Sequence, residues 1–148
     1  MAEEQGRRIV VGVDGSASSK AALAWAVRQA ALTGAEVDAV CAWQIPAAYG
    51  YGYTMTVTIP DLEKAAASEL NQAIAEVTGP AAEVEIRPLV VQDNPAQALL
   101  DCAKGADLLV VGNRGHGGFT GALLGSVGQH CAHHAQCPVV IIRSPKPE

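Results

Sequence analysis

The chain has 148 residues, 49% of them apolar and 17% charged, a balance that supports one packed domain with a sizeable core and excludes a disordered segment. A net charge of −5 and a pI near 5.3 exclude a duplex nucleic-acid binder, because phosphate affinity rests on clustered Lys and Arg that this chain lacks. The polar start MAEEQGRR carries no signal-peptide core and no apolar run approaches the length of a membrane span, so a cytoplasmic location without membrane contact is expected.

Apolar runs then alternate with helical patterns along the whole chain. Ile9 to Val13 reads as a buried strand, and Lys20 to Leu32, rich in Ala with Leu23, Val27 and Ala30 on one stripe, reads as a helix. Glu36 to Ala42 is the second strand. The long insertion Gln44 to Ile59 contains Gly and Tyr and suits a surface loop, either a functional lid or mobile filler. A helix from Asp61 to Val77 follows Pro60 and stops at Gly79-Pro80. Val84 to Val91 gives the third strand, and Asn94-Pro95 offers an N-cap with Pro in the first turn of a helix that runs to Lys104 and stops at Gly105. Leu108 to Val111, Ser126 to Ala135 and Val139 to Ile142 complete the pattern as strand, helix and strand. Such βαβ units assemble into a parallel sheet with helices on both faces, a doubly wound α/β fold in a single domain spanning 1–148, with 144–148 as a frayed, flexible tail.

The stretch VVGNRGHGGFTGALLGSVGQH, 110–130, follows a strand and precedes a helix, which places it at the carboxyl rim of the sheet, where α/β folds bind ligands. Gly112 and Gly115 allow close backbone approach and positive φ, and Gly125-Ser126 opens a helix whose free N–H groups and hydroxyl suit an anion. Neither G-x-x-x-x-G-K-[ST] nor G-x-G-x-x-G occurs, so glycine richness alone leaves a phosphate cradle and a merely tight loop equally open.

The spacing Gly112-x-x-Gly115, nine residues, then Gly125-Ser126 resembles the G-2x-G-9x-G-[ST] signature of the ATP-binding universal stress proteins. VGVDGSASSKAALAWA at 11–26 is similar to that family's first strand and turn, and CPVVIIR at 137–143 to its last strand. The resemblance implies a five-stranded sheet in the order 3-2-1-4-5, binding of ATP with a divalent cation, a homodimer, and a nucleotide-dependent regulator or sensor in the stress response. It also assigns roles. Gly12 would lie beside base or ribose; Asp14 would hold ribose hydroxyls or a metal-bound water, or else serve as a turn or cap residue. Val40 would contact adenine or be plain core. Gly112, Arg114, Gly115, Gly125, Ser126 and Val127 fall on the phosphate and ribose segment, Arg114 being otherwise a solvated loop residue.

A triphosphate entering an acidic chain calls for Mg²⁺ held mainly by phosphates and waters. Efficient turnover is not expected, because only Asp14 or His116 offers itself as a water-positioning base; a slow Mg-dependent ATPase and a flavin or adenylate module of the same fold are the alternatives. His130 and His134 are four apart and can share a helix face, but no second ligand pair completes a structural zinc set. Cys41, Cys102, Cys131 and Cys137 show no C-x-x-C spacing and are read as reduced thiols. The apolar strand Val139 to Ile142, started by Pro138, invites pairing with a second copy of the chain, and a regulatory protein partner is expected beyond that.

Overall fold

The structure, a computed structural model, describes residues 7–45, 58–78, 84–114 and 125–144. Its elements follow in the order β1 (Arg8–Gly12), α1 (Ala17–Thr33), β2 (Glu36–Trp43), α2 (Ile59–Thr78), β3 (Ile86–Gln92), α3 (Pro95–Cys102), β4 (Leu108–Gly112), α4 (Ser126–His134) and β5 (Val139–Ile142). The five strands form one sheet in the order β3-β2-β1-β4-β5, with every pairing parallel. The doubly wound fold expected from the alternating pattern is therefore present, with the strand order that the resemblance implied.

Alternation along each strand divides the core in two. Ile9, Val11, Val37, Ala39, Cys41 and Val110 pack under α1 and α2, against Leu23, Ala26 and Leu70. Val10, Val40, Leu109 and Val111 point to the opposite face and pack under α3 and α4, against Leu99 and Cys131. The chain steps outward from β1 to β2 and β3, then returns to β4 and β5. With crossovers of constant hand that reversal carries the helices to the other face. Strands buried on both faces must be apolar without interruption, and this is why β1 and β4 read RIVVG and LLVVG.

Helix boundaries follow local chemistry. Ser16 caps α1, its hydroxyl accepting from the Ser19 N–H at 3.2 Å, so the helix starts three residues before the expected Lys20. Gly34 closes it with φ of 81°, its N–H donating to the Ala30 carbonyl at 2.8 Å. Asn94 caps α3 by accepting from the N–H groups of Ala96 (2.9 Å) and Gln97 (3.3 Å), with Pro95 in the first turn.

A polar clip that the sequence reading missed joins β1, β2, β3 and α3. Asp38 interrupts the apolar run of β2 and is 1% exposed. It accepts from Arg87 Nε (2.8 Å) and Nη2 (2.9 Å) and from Arg8 Nη1 (3.2 Å). Arg8 also donates to the carbonyls of Cys102 (2.8 Å) and Lys104 (2.7 Å), capping the C-terminal end of α3. The clip fixes α3 at the end opposite the carboxyl rim of the sheet.

The glycine-rich residues 115–124, most of the expected surface loop (46–57) and the tail 145–148 lie outside the described residues. No helix among the described residues is long and apolar enough to cross a membrane.

Candidate functional site

Because all strands are parallel, their carboxyl ends share one rim. β1 and β4 are neighbours whose following helices cross opposite faces, and the crevice between them is where this architecture leaves room for a ligand. A cavity of about 270 Å³ opens there. It is lined by Gly12, Val13, Asp14 and Ser19 from β1 and the start of α1, by Val40 and Ala42 of β2, and by Pro95 and Leu99 of α3. Val111, Gly112 and Arg114 at the end of β4, with Gly125 to Gly128 at the start of α4, complete the wall. The lining is mostly apolar, with Val40 and Val111 each 2% exposed and Leu99 4%. A few polar groups, among them Asp14, Ser19 and Ser126, interrupt that apolar lining, the composition of a small-molecule site.

Every expected site residue among the described ones borders this cavity: Gly12, Asp14, Val40, Gly112, Arg114, Gly125, Ser126 and Val127. Gly115, like His116, lies outside the described residues. The local roles differ from those the sequence suggested at several positions. Gly112 does not take positive φ; among the described residues only Gly15, Gly34 and Gly105 do. A Cβ on Gly112 would sit 2.7 Å from the Ser18 carbonyl carbon and 2.8 Å from the Ser19 nitrogen, so the bare backbone admits the first turn of α1. A Cβ on Gly12 would lie 2.8 Å from Leu99 Cδ1, which makes this glycine a seat for α3. Gly125 is extended, with φ of −71° and ψ of 169°, and its N–H donates to the Asn113 carbonyl at 2.6 Å, so that donor is not free for an anion. The carbonyl of Val40 accepts from the Val13 N–H at 2.8 Å, and what Val40 turns to the cavity is chiefly apolar surface.

Asp14 fills the turn role as well as lining the cavity. Its Oδ1 accepts from the Ser16 N–H at 2.9 Å, and its own N–H donates to Ser19 Oγ at 3.1 Å. Ser18 Oγ donates to the Arg114 carbonyl at 2.6 Å, lies 3.3 Å from the Arg114 N–H, and so ties the end of β4 to α1. These bonds use only the Arg114 backbone, and the exposed residue borders the cavity.

The start of α4 differs electrostatically from the other capped helices. Gly125 supplies no side-chain cap, whereas Ser16 and Asn94 each cap their own helix. The N–H groups of Ser126, Val127 and Gly128 belong to a first turn that has no intrahelical carbonyls to bond, and they carry the positive end of the helix dipole to the cavity wall. Asn113 pins both flanks: its N–H donates to the Ile142 carbonyl at 2.8 Å while its carbonyl holds Gly125. Its buried Oδ1 has no hydrogen-bond partner among the described residues.

Pro95, Leu99, Ala42 and Ser19 were not anticipated as lining residues. The Asn94-Pro95 helix start was visible in sequence. Its arrival over β1 follows from the strand order, which no local pattern encodes.

The thiols pack. Burial pushes the Cys41 and Cys131 thiols up to about 11, reinforced for Cys41 by the charges of Glu69 and Asp14. All four cysteines are free, as the sequence reading expected.

Comparison with known proteins places this geometry in context. A universal stress protein of Mycobacterium tuberculosis is 35% identical over 140 residues, covering 91% of this chain and 45% of its own length; the chain spans about half the length of such curated relatives. The structure of the universal stress protein UspA from Lactobacillus plantarum matches with a TM-score of 0.73 at 26% identity, covering 93% of this chain and 97% of that one. A universal stress protein solved in complex with cAMP is 30% identical with a TM-score of 0.61, covering 95% of this chain and 98% of the other. The profile of the universal stress protein family matches residues 6–143, and this chain belongs to that family.

Proposed function

We propose that the rim cavity binds an adenine nucleotide, with the base against Val40, Leu99 and Val127 and the phosphates at the first turn of α4, and that the protein acts as a nucleotide-dependent regulator. The observation that carries this reading is the pairing in one cavity of an apolar floor with an uncapped helix N-terminus. A 30% identical neighbour solved in complex with cAMP, an adenine nucleotide with one phosphate, supports the ligand class.

ATP with Mg²⁺ is the proposed working ligand. The donors at the mouth are the Asp14 carboxylate and the Ser126 hydroxyl, hard oxygens of the kind Mg²⁺ takes. No set of three or more His, Cys, Asp or Glu that would cage a metal occurs among the described residues. The residues thus fit an ion carried by the phosphates and waters. When bound it would neutralise phosphate charge that Arg114 and the helix dipole offset only in part.

Asp14 is tied to the turn by the Ser16 N–H, and among the described residues the cavity lining holds no other carboxylate to serve as a base for rapid hydrolysis. A sensor reading, in which occupancy biases a partner surface by differential affinity, is therefore preferred to a slow ATPase. We further propose a homodimer through β5, an edge strand reading VVII with Ile141 36% exposed.

The test is mass spectrometry of small molecules released by denaturing the purified chain, followed by a turnover assay with Mg²⁺. Adenine nucleotide without measurable turnover supports the regulator. Bound flavin would replace it with a flavin module, and sustained phosphate release with an ATPase.

A further inference from the structure

The C-terminal half of α4 carries three exposed histidines that the cavity does not use: His130, His133 and His134. His130 and His134 are four residues apart and so occupy one face of the helix. Their ring centroids lie 4.5 Å apart, with the planes inclined at 43°, neither stacked flat nor edge-on. His133 projects from an adjoining face, its ring 6.4 Å from that of His134.

This spacing has a definite meaning in coordination geometry. With a metal–nitrogen bond of about 2.0–2.1 Å, each imidazole centre lies roughly 3.2 Å from the ion, so two rings at a right angle are roughly 4.5 Å apart and two at the tetrahedral angle roughly 5.2 Å apart. The observed separation matches the one two cis imidazoles on a single ion would have. Right-angle ligation by nitrogen suits nickel(II) and copper(II), and their position at the C-terminal end of α4 places a cation at the negative end of the helix dipole.

We propose that His130 and His134 form a surface chelate for a borderline divalent transition ion of the nickel(II) and copper(II) class. Asp101 on the facing α3 borders a small cavity together with His134, but it is engaged by Gln97 (2.9 Å) and Lys104 (3.8 Å) and supplies no ligand. Since no larger ligand set converges among the described residues, water completes the coordination. An ion with open, water-filled positions exchanges readily, so the site is not a structural one.

The experiment is calorimetric titration of the untagged, chelator-washed full chain with Ni²⁺, paired with NMR of the imidazole resonances. His130→Ala and His134→Ala should each weaken Ni²⁺ binding by about tenfold or more, given that loss of even a supporting partner of a ligand acts on that scale, while His133→Ala stays within about twofold. Substoichiometric Ni²⁺ should broaden the His130 and His134 ring signals before those of His133. All three side chains are exposed, so unchanged circular dichroism is expected of each variant. Absence of Ni²⁺ binding by the parent chain, equal affinity in the doubly substituted chain, or a loss as large from His133→Ala overturns the assignment.

Discussion

Gly112→Ala separates two explanations of the same glycine. If Gly112 is bare to admit a ligand, alanine there weakens binding and leaves the fold alone. The structure puts α1 against it: the new Cβ would lie 2.7 Å and 2.8 Å from backbone atoms of Ser18 and Ser19, which cannot rotate away as a side-chain tip can. Reaching ordinary contact requires the first turn of α1 to retreat, and that strains the Ser18 Oγ bond to the Arg114 carbonyl at 2.6 Å. Overpacking costs about 1–3 kcal/mol and a lost hydrogen bond about 1 kcal/mol. Restricting the unfolded chain by replacing Gly returns about 0.4–1 kcal/mol. The net destabilisation is about 1–3.6 kcal/mol, which in a domain of this size lowers Tm by roughly 2–14 °C. Gly12→Ala is the control, since its Cβ meets the movable tip of Leu99, at 2.8 Å and 3.2 Å, and should cost less. Urea unfolding followed by circular dichroism, with m unchanged, measures both. A Gly112→Ala chain as stable as the parent, or less affected than Gly12→Ala, refutes the packing explanation.

Further expectations follow from other contacts. Asp38→Ala strands two guanidiniums against the sheet and should cost about 3 kcal/mol, the low end for a broken buried pair because Arg8 and Arg87 keep 24% and 52% of their side chains exposed; thermal melting checks it. Asp14→Asn keeps the acceptor for the Ser16 N–H, so stability should hold while nucleotide affinity falls, and equal affinity in calorimetry would confine Asp14 to the turn. The folded Cys41 and Cys131 thiols sit at about 11 against 9.0 in the unfolded chain, so their contribution to stability is complete below pH 9 and lost as pH rises toward 11; denaturation across that window reads it. Ile141→Lys on the β5 edge should turn a dimer into a monomer in light scattering, and an unchanged mass would remove β5 from the interface.

Much of the fold was legible because parallel strands buried on two faces must be apolar throughout, and because Asn94-Pro95 obeys local capping rules that need no tertiary context. The start of α1 was misplaced for the same local reason in reverse: the SASS run offers several hydroxyls, and only the fold selects Ser16 as the cap. The site residues were found by spacing along the chain, yet spacing is silent about what lies across the sheet. Gly12 and Gly112 were read as ligand-facing, and their tightest neighbours are Leu99 and α1, each brought there by a crossover. Asp38 carried a visible signal, a lone acid inside an apolar strand, but its partners Arg8 and Arg87 sit on separate strands whose register no local pattern fixes.

The central claim is that the rim cavity takes adenine nucleotides through an apolar floor and the open first turn of α4. Calorimetric titration with ATP, ADP, AMP and cAMP, with and without Mg²⁺, tests it most directly when repeated on Gly125→Val. The account predicts saturable heat with the parent chain, and its loss in a Gly125→Val chain that still folds, since a branched side chain would crowd the phosphate end. No heat with any of these nucleotides, or undiminished binding by Gly125→Val, would contradict it.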